Sequence, residues 1–358
     1  MHIGYVPYSK NLEHPGDRRR LKSWAQSKSI ELNITSPLES DVLVLSGAAN
    51  FGYWIKRAKQ PIVLDIVDGY LGEEVNYFKD IARNILRTIN GTSNLKWLTY
   101  SRHLRFASKA SNIVVVASPE QANWVKDLNS NIAVILDDHS ELLTESLFNT
   151  QEMNSNSNIN QVPHLFWEGY GYNLKHFEFI AKELDAFLHS NNWGMYLITS
   201  RTFARWGGFV GRIDAAKLIR KLFPLSWRKI SIIPWTLTNL QKYSQISQLG
   251  IIPISPNDNF AQLKSENKLL SMWLLDLPVL FSDTPAYSRV ANLANQQRAC
   301  VRPDQWSSAI SKCTDPNNLE YLRINAKKYV SDFHTHDLLI LKWQEVFRKL
   351  EGDSNAKI

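Results

Sequence analysis

The residues best placed to do chemistry in this 358-residue chain lie between Lys264 and Asp283. Lys264, Ser265, Glu266, Asn267 and Lys268 come first, and the apolar run LLSMWLLDLPVLFSD follows. A strand candidate, Ile251 to Ile254, stands just before them. A strand, a polar loop and a helix that opens on two lysines make an anion site. The first amides of a helix have no partner within it, and its dipole places positive charge there. Diphosphate is the anion this suggests. A solvated loop capped by Ser265 or Asn267 would use the same residues, so the rest of the chain has to decide between the two.

A second group of chemical candidates lies in the first half. Asp17, Asp65, Asp68 and His139 follow strand-like runs and could contact an acceptor or take its proton, a task that suits a histidine near neutral pKa. Arg18, Arg19 and Arg20 offer charge for an anionic acceptor, or a plain solvated helix face. Between Lys79 and Lys109 the basic residues Lys79, Arg83, Arg87, Lys96, Arg102, Arg105 and Lys109 face the single acid Asp80, interleaved with Ile81, Ile85, Leu86, Ile89, Trp97, Leu98, Leu104 and Phe106. Such a segment fits an anionic membrane surface, or a helix pair with its apolar stripe in the core and its charges in water.

These residues need a scaffold, and the periodicity supplies one. Strand-like runs fall at His2–Pro7, Ile30–Ile34, Asp41–Ser46, Pro61–Asp68, Asn112–Ser118 and Asn131–Asp137, with helical stretches between them. Most are apolar on both faces, as parallel strands covered by helices must be. The rhythm restarts at His164–Trp167, Gly194–Thr199, Ile230–Pro234, Gly250–Ile254, Pro278–Ser282 and Arg298–Val301. Strand alternating with helix predicts an α/β chain of two Rossmann-like, doubly wound domains. The expected division is 1–150, a polar linker at 151–162 (QEMNSNSNINQV), a second domain at 163–335, and a C-terminal helix and tail at 336–358. Ligands of such sheets bind outside the carboxyl ends of the strands, where Ser46, Asp65, Asp68, Ser118, Asp137, Asp138 and His139 gather.

Composition narrows the partners. With 44% hydrophobic and 21% charged residues the chain is globular, not disordered. Two cysteines, Cys300 and Cys313, give neither a disulfide framework nor a metal-ligand spacing and suit a reducing cytosol. The N-terminus is too polar for a secretory signal, and no window approaches a membrane span. The net charge of +7 fits nucleic acid, membrane or a phosphorylated substrate alike. A nucleic-acid partner is not expected, because the basic residues are confined to one segment and no recognised module is present.

Two Rossmann-like halves without GxGxxG, a Walker A loop or a GxSxG elbow do not read as a dehydrogenase, an NTPase or a hydrolase. The ordered stretches are His14-Pro-Gly-Asp-Arg-Arg-Arg20, Val63 to Leu71, Ser118-Pro-Glu-Gln121, Trp167-Glu-Gly169 with Asn173-Leu174, Ile233-Pro-Trp235 and Lys264 to Asp283. Over nearly the whole chain this order resembles a glycosyltransferase of the B fold (GT-B), specifically the bacterial enzymes of the retaining family 4, also called group 1. The resemblance implies two domains facing each other across a cleft, with the C-terminal helix returning to the first. It implies a cytoplasmic, metal-independent transferase of hexosyltransferase type, to which the basic segment 79–109 adds the expectation of peripheral contact with an anionic membrane at the inner face. The nucleotide-diphosphate sugar is its donor and it needs no cofactor besides. A glycan or lipid-linked acceptor in surface polysaccharide synthesis completes the implied reaction. It places Trp167, Gly169, Lys175, Arg201, Lys264, Ser265, Asn267 and Lys268 around the donor, with Trp235 at the base. It puts a ribose-binding glutamate at position 271 and a second near 263, where this chain has Ser271 and Leu263. Those replacements support a rival, a non-catalytic sugar-nucleotide or glycan-binding protein on the same fold.

Overall fold

The computed structural model describes residues 1–72, 77–143, 162–204 and 211–355. By its internal contacts the chain forms two compact units. Met1–Asp138, Leu263–Ser265 and Thr335–Ile358 make the first, and His139–Gln262 with Glu266–His334 the second. The expected linker lies outside the described residues except for Val162.

In the first unit β1 (Ile3–Val6), β2 (Leu32–Asn33), β3 (Val42–Ser46), β4 (Ile62–Ile66), β5 (Ile113–Val116) and β6 (Ile132–Val134) form a parallel sheet in the order β2-β1-β3-β4-β5-β6. Successive strand residues point to opposite faces, so each strand feeds two cores. Val42, Val44, Ile113 and Val115 lie in one, with Leu21 and Trp24 of the helix Leu21–Ser27. Leu43, Leu45, Val114 and Val116 lie in the other, beneath Leu104 and Ala107 of the helix Tyr100–Ala110. The C-terminal helix His336–Asn355 returns to this unit, as expected, and buries Leu339, Ile340, Trp343, Val346, Phe347 and Leu350 in the first of these cores.

The second unit repeats the plan. Its parallel sheet contains β7 (His164–Glu168), β8 (Gly194–Ile198), β11 (Ile230–Ile233), β12 (Leu249–Ile252), β13 (Val279–Ser282) and β14 (Cys300–Val301) in the order β11-β8-β7-β12-β13-β14. An antiparallel pair, β9 (Thr202–Ala204) and β10 (Arg212–Asp214), follows β8 and was not legible as strands. In both sheets the chain runs outward from one inner strand and then crosses to the other side. That creates a topological switch point between β1 and β3 and another between β7 and β12, the usual seat of a ligand.

The two helices of the basic segment differ. Tyr100–Ala110 buries Leu104 and exposes Arg102, Arg105 and Lys109, as a stripe in the core and charges in water require. Tyr77–Ile89 does not pack that way. Its buried positions are Asp80 and Asn84, while Phe78, Ile85 and Ile89 are exposed. A neighbouring buried group makes the region pH-sensitive. His103 accepts a hydrogen bond from the Gly52 amide at Nε2 (2.9 Å), and its Nδ1 lies 3.1 Å from Ser93 Oγ. Burial, with Arg87 and Lys96 adding to it, lowers its pKa to about 4. The unfolded chain therefore takes up a proton that the folded chain refuses. This share of stability is complete above about pH 6.5 and is lost as pH falls toward 4, amounting to about 3 kcal/mol at most. Urea midpoints measured across this range should flatten by about one proton's slope in His103→Gln; an unaltered slope would assign the effect elsewhere.

Candidate functional site

At the second switch point β7 ends at Glu168, followed by Gly169, and the segment after β12 leads into the helix Asn267–Leu274. Lys268, one residue into that helix, donates from Nζ to the backbone carbonyl of Glu168. Its ammonium lies 3.7 Å from the Glu168 carboxylate and 4.9 Å over the Trp167 ring. Gly169 has φ +154°, and a Cβ there would come within 2.9 Å of Lys268 Nζ and 3.1 Å of Trp167. Glycine is what lets the lysine and the strand end close on each other. Trp167 itself is buried and underlies the lysine.

Trp235, after β11, is exposed and donates from Nε1 to Glu168 Oε2 at 3.4 Å. Glu168 thus stands between a lysine at a helix start and an exposed indole. It was not singled out from sequence, where Trp167 and Gly169 drew attention as the ends of its tripeptide. Glu266 sits at the N-cap of the 267–274 helix but makes no side-chain cap; its carboxylate is buried against Arg289 at 2.8 Å. Asn267 opens the helix, half-buried. Ser271, at the expected ribose position, donates to the Lys268 carbonyl within the same helix.

The remaining donor candidates lie on other segments. Lys175, just after β7, pairs with Asp258, after β12, at 2.6 Å. Burial raises the Asp258 carboxyl, but the bond from Lys175, the Ala261 amide and the charge of His176 outweigh it and hold the carboxyl below its ordinary value. Arg201 is exposed beyond β8, and Lys264 and Ser265 fall, by internal contacts, in the first unit. Thr199, at the end of β8, was missed; its buried hydroxyl meets no hydrogen-bond partner among the described residues.

At the first switch point Tyr8 stacks on His14, with centroids 4.7 Å apart. Burial raises the Tyr8 hydroxyl well above its ordinary pKa, and the charges of Asp65 and Asp68 add to it. Asp17 accepts from Tyr5 Oη (2.6 Å), the Tyr8 amide (2.8 Å) and both the amide and hydroxyl of Ser9 (3.0 Å each). Asp65 is fully buried in a bidentate pair with Arg20, which also bonds Asp137 and the Ile135 carbonyl. Burial acts to lower Arg20, but Asp65 and Asp137 outweigh it and keep the guanidinium charged. Asp17 and Asp65 therefore brace the loops, and Arg20 cannot serve as a surface anion binder. Asp68 is half-buried just past β4. His139 groups with the second unit, its Nδ1 3.3 Å from His334 Nε2.

Solved structures share this architecture. Anabaena HepE in complex with UDP matches with a TM-score of 0.61 at 11% identity, covering 98% of this chain and 100% of that one. WaaG, a glycosyltransferase involved in lipopolysaccharide biosynthesis, matches at 0.55 and 14% identity, covering 96% and 97%. TarM matches at 0.55 and 10% identity, covering 86% of this chain and 54% of its own length, so this chain spans about half of TarM. The fold is GT-B. At these identities the likeness is one of fold. No protein-family model matches the sequence, and no curated protein matches it either. Within this GT-B chain both switch points carry polar groups set on strand ends, and the second holds the cluster of Glu168, Gly169, Trp235 and Lys268.

Proposed function

We propose that the chain is a glycosyltransferase that moves a sugar from a nucleotide-diphosphate donor to a glycan or lipid-linked acceptor in surface polysaccharide synthesis. The observation that carries this reading is Lys268, set at a helix start and drawn onto the end of β7 at the switch point. A leaving diphosphate needs its growing charge met. The ammonium and the helix dipole supply that without a bound metal. Trp235 offers a flat face for the base. Glu168 beside it accepts ribose hydroxyls, as carboxylates do, and so replaces the glutamate absent at 271. Asp68 is the group to take the acceptor proton. The complexes of HepE with UDP and UDP-glucose support a uridine nucleotide as the first donor to test. The reading includes a cytoplasmic location and contact between residues 79–109 and an anionic membrane.

A thermal-shift screen against UDP, GDP, ADP and CMP sugars should find one strong stabiliser, since a ligand at about 100 times its Kd adds roughly 2.7 kcal/mol. A flat response would favour the non-catalytic glycan-binding reading. Glu168→Ala should abolish discrimination between that nucleotide and its 2′-deoxy form. Retained discrimination would put the ribose elsewhere.

A further inference from the structure

The basic residues of this chain are not confined to 79–109. Between Arg212 and Lys229 six of them meet one acid, Asp214, whose carboxylate is taken up by the Ala216 and Lys217 amides at the cap of the helix Ala215–Leu222. Lys217, Arg220, Lys221 and Arg228 are exposed, and among the described residues no carboxylate pairs with any of them. Two of these cations share one indole. Arg220 Cζ stands 4.7 Å from the centroid of the Trp227 ring and Arg228 Cζ 4.9 Å. Stacking uses the flat face of a guanidinium and leaves the N–H groups at its edge to donate elsewhere.

The indole has a rigid mount. Trp227 begins the short turn Trp227–Lys229 just ahead of β11. Asp185, buried on the helix Ala181–Ser190, accepts from the Leu225 amide at 3.0 Å and from the Ser226 amide and hydroxyl at 2.9 and 2.6 Å. At the far end of the turn Lys229 donates to the Leu188 and His189 carbonyls at 2.9 and 3.2 Å. Two positive charges on one ring lie closer than a Debye length and repel, which an anion beside them relieves. Side chains already stacked also lose less freedom on binding. Lys217, one helical turn before Arg220, adds a third cation. Forked donors with this much charge suit a terminal phosphate, which presents three acceptor oxygens and nearly two negative charges at neutral pH. A carboxylate or a phosphodiester brings only one charge. The turn precedes Ile230, so the cations stand at the amino end of β11, whereas Glu168, Trp235 and Lys268 gather at carboxyl ends.

We infer that Arg220 and Arg228, mounted on Trp227, form a binding site for a terminal phosphate group, separate from the donor cluster. Calorimetry of the full chain with glucose 6-phosphate and with inorganic phosphate tests it. At least one of them should bind with a Kd of about 1 mM or tighter. A tighter ester assigns the site to phosphorylated sugars, and equal affinities assign it to free phosphate. Arg220→Gln combined with Arg228→Gln should weaken binding by about tenfold or more. Both side chains are exposed, so the melting temperature should not move. Lys268→Ala should leave the phosphate affinity as it is. Affinity should also fall severalfold between about pH 7.5 and 5.5, because the phosphate gains a proton near pH 6 while neither guanidinium titrates. The site needs neither donor nor acceptor, so a failed nucleotide screen would count against the transferase reading alone. Three results would overturn the assignment: binding of neither probe, a flat pH profile, or a loss in Lys268→Ala with none in the double variant, which would place the phosphate at the donor cluster.

Discussion

Replacing Arg20 with alanine should destabilise the first unit by about 3–5 kcal/mol, the range found when one partner of a buried ion pair is removed. Asp65 is fully buried, and burial already raises its carboxyl and that of Asp137 against the pull of Arg20. Without the guanidinium both would lose their counter-charge, and the Ile135 carbonyl its donor. The effect should be read by urea unfolding followed through Trp24 and Trp343, which report the core beside this cluster. Asp65→Asn in an Arg20→Met background should recover much of the loss, because the stranded charge is then gone. A loss below about 1 kcal/mol for Arg20→Ala would mean that water reaches the cluster and that these residues do not brace the sheet.

Replacing Lys268 with alanine should raise the Kd for the nucleotide-sugar donor about tenfold to a hundredfold, the equivalent of losing one or two charge-assisted hydrogen bonds. The lysine side chain is a quarter exposed, and its ion pair with Glu168 adds little to stability. Calorimetry should therefore show the affinity loss while the melting temperature hardly moves. Unchanged affinity would remove Lys268 from the donor site. Gly169→Ala tests the same geometry from the strand side, since the added methyl would press on the ammonium and the φ of +154° would strain any L residue.

All twelve strands of the two parallel sheets fall within or one residue beside apolar runs visible in the sequence, because parallel strands buried on both faces must be continuously apolar. The antiparallel pair β9–β10 escaped: Thr202–Ala204 and Arg212–Asp214 are short and exposed at alternate positions, and carry no such run. The site was legible where chemistry coincides with a strand end, as at Gly169, Trp235 and Lys268. It was not legible where side-chain direction decides. Nothing in the sequence shows that Asp17 accepts four hydrogen bonds from Tyr5, Tyr8 and Ser9, or that Arg20 turns inward while Arg18 and Arg19 remain partly exposed. The rotation of the 77–89 helix is the same kind of case. Its periodicity is plain, but which face is inner depends on Ser93, Ser101 and Gly47 receiving or supplying hydrogen bonds from elsewhere in the chain.

The return of the helix His336–Asn355 to the first sheet has a consequence for biosynthesis. Chains emerge from the ribosome N-terminus first, and domains generally fold as they appear. Here the strands of the first sheet are made early, yet the seat for Leu339, Trp343 and Phe347 stays unfilled until the helix His336–Asn355 is translated. The second unit, apart from Leu263–Ser265, is one unbroken stretch of chain from His139 to His334. It can finish folding while the older sheet still exposes apolar side chains to solvent or to a chaperone. The half of the molecule that is made first is thus the last to be completed.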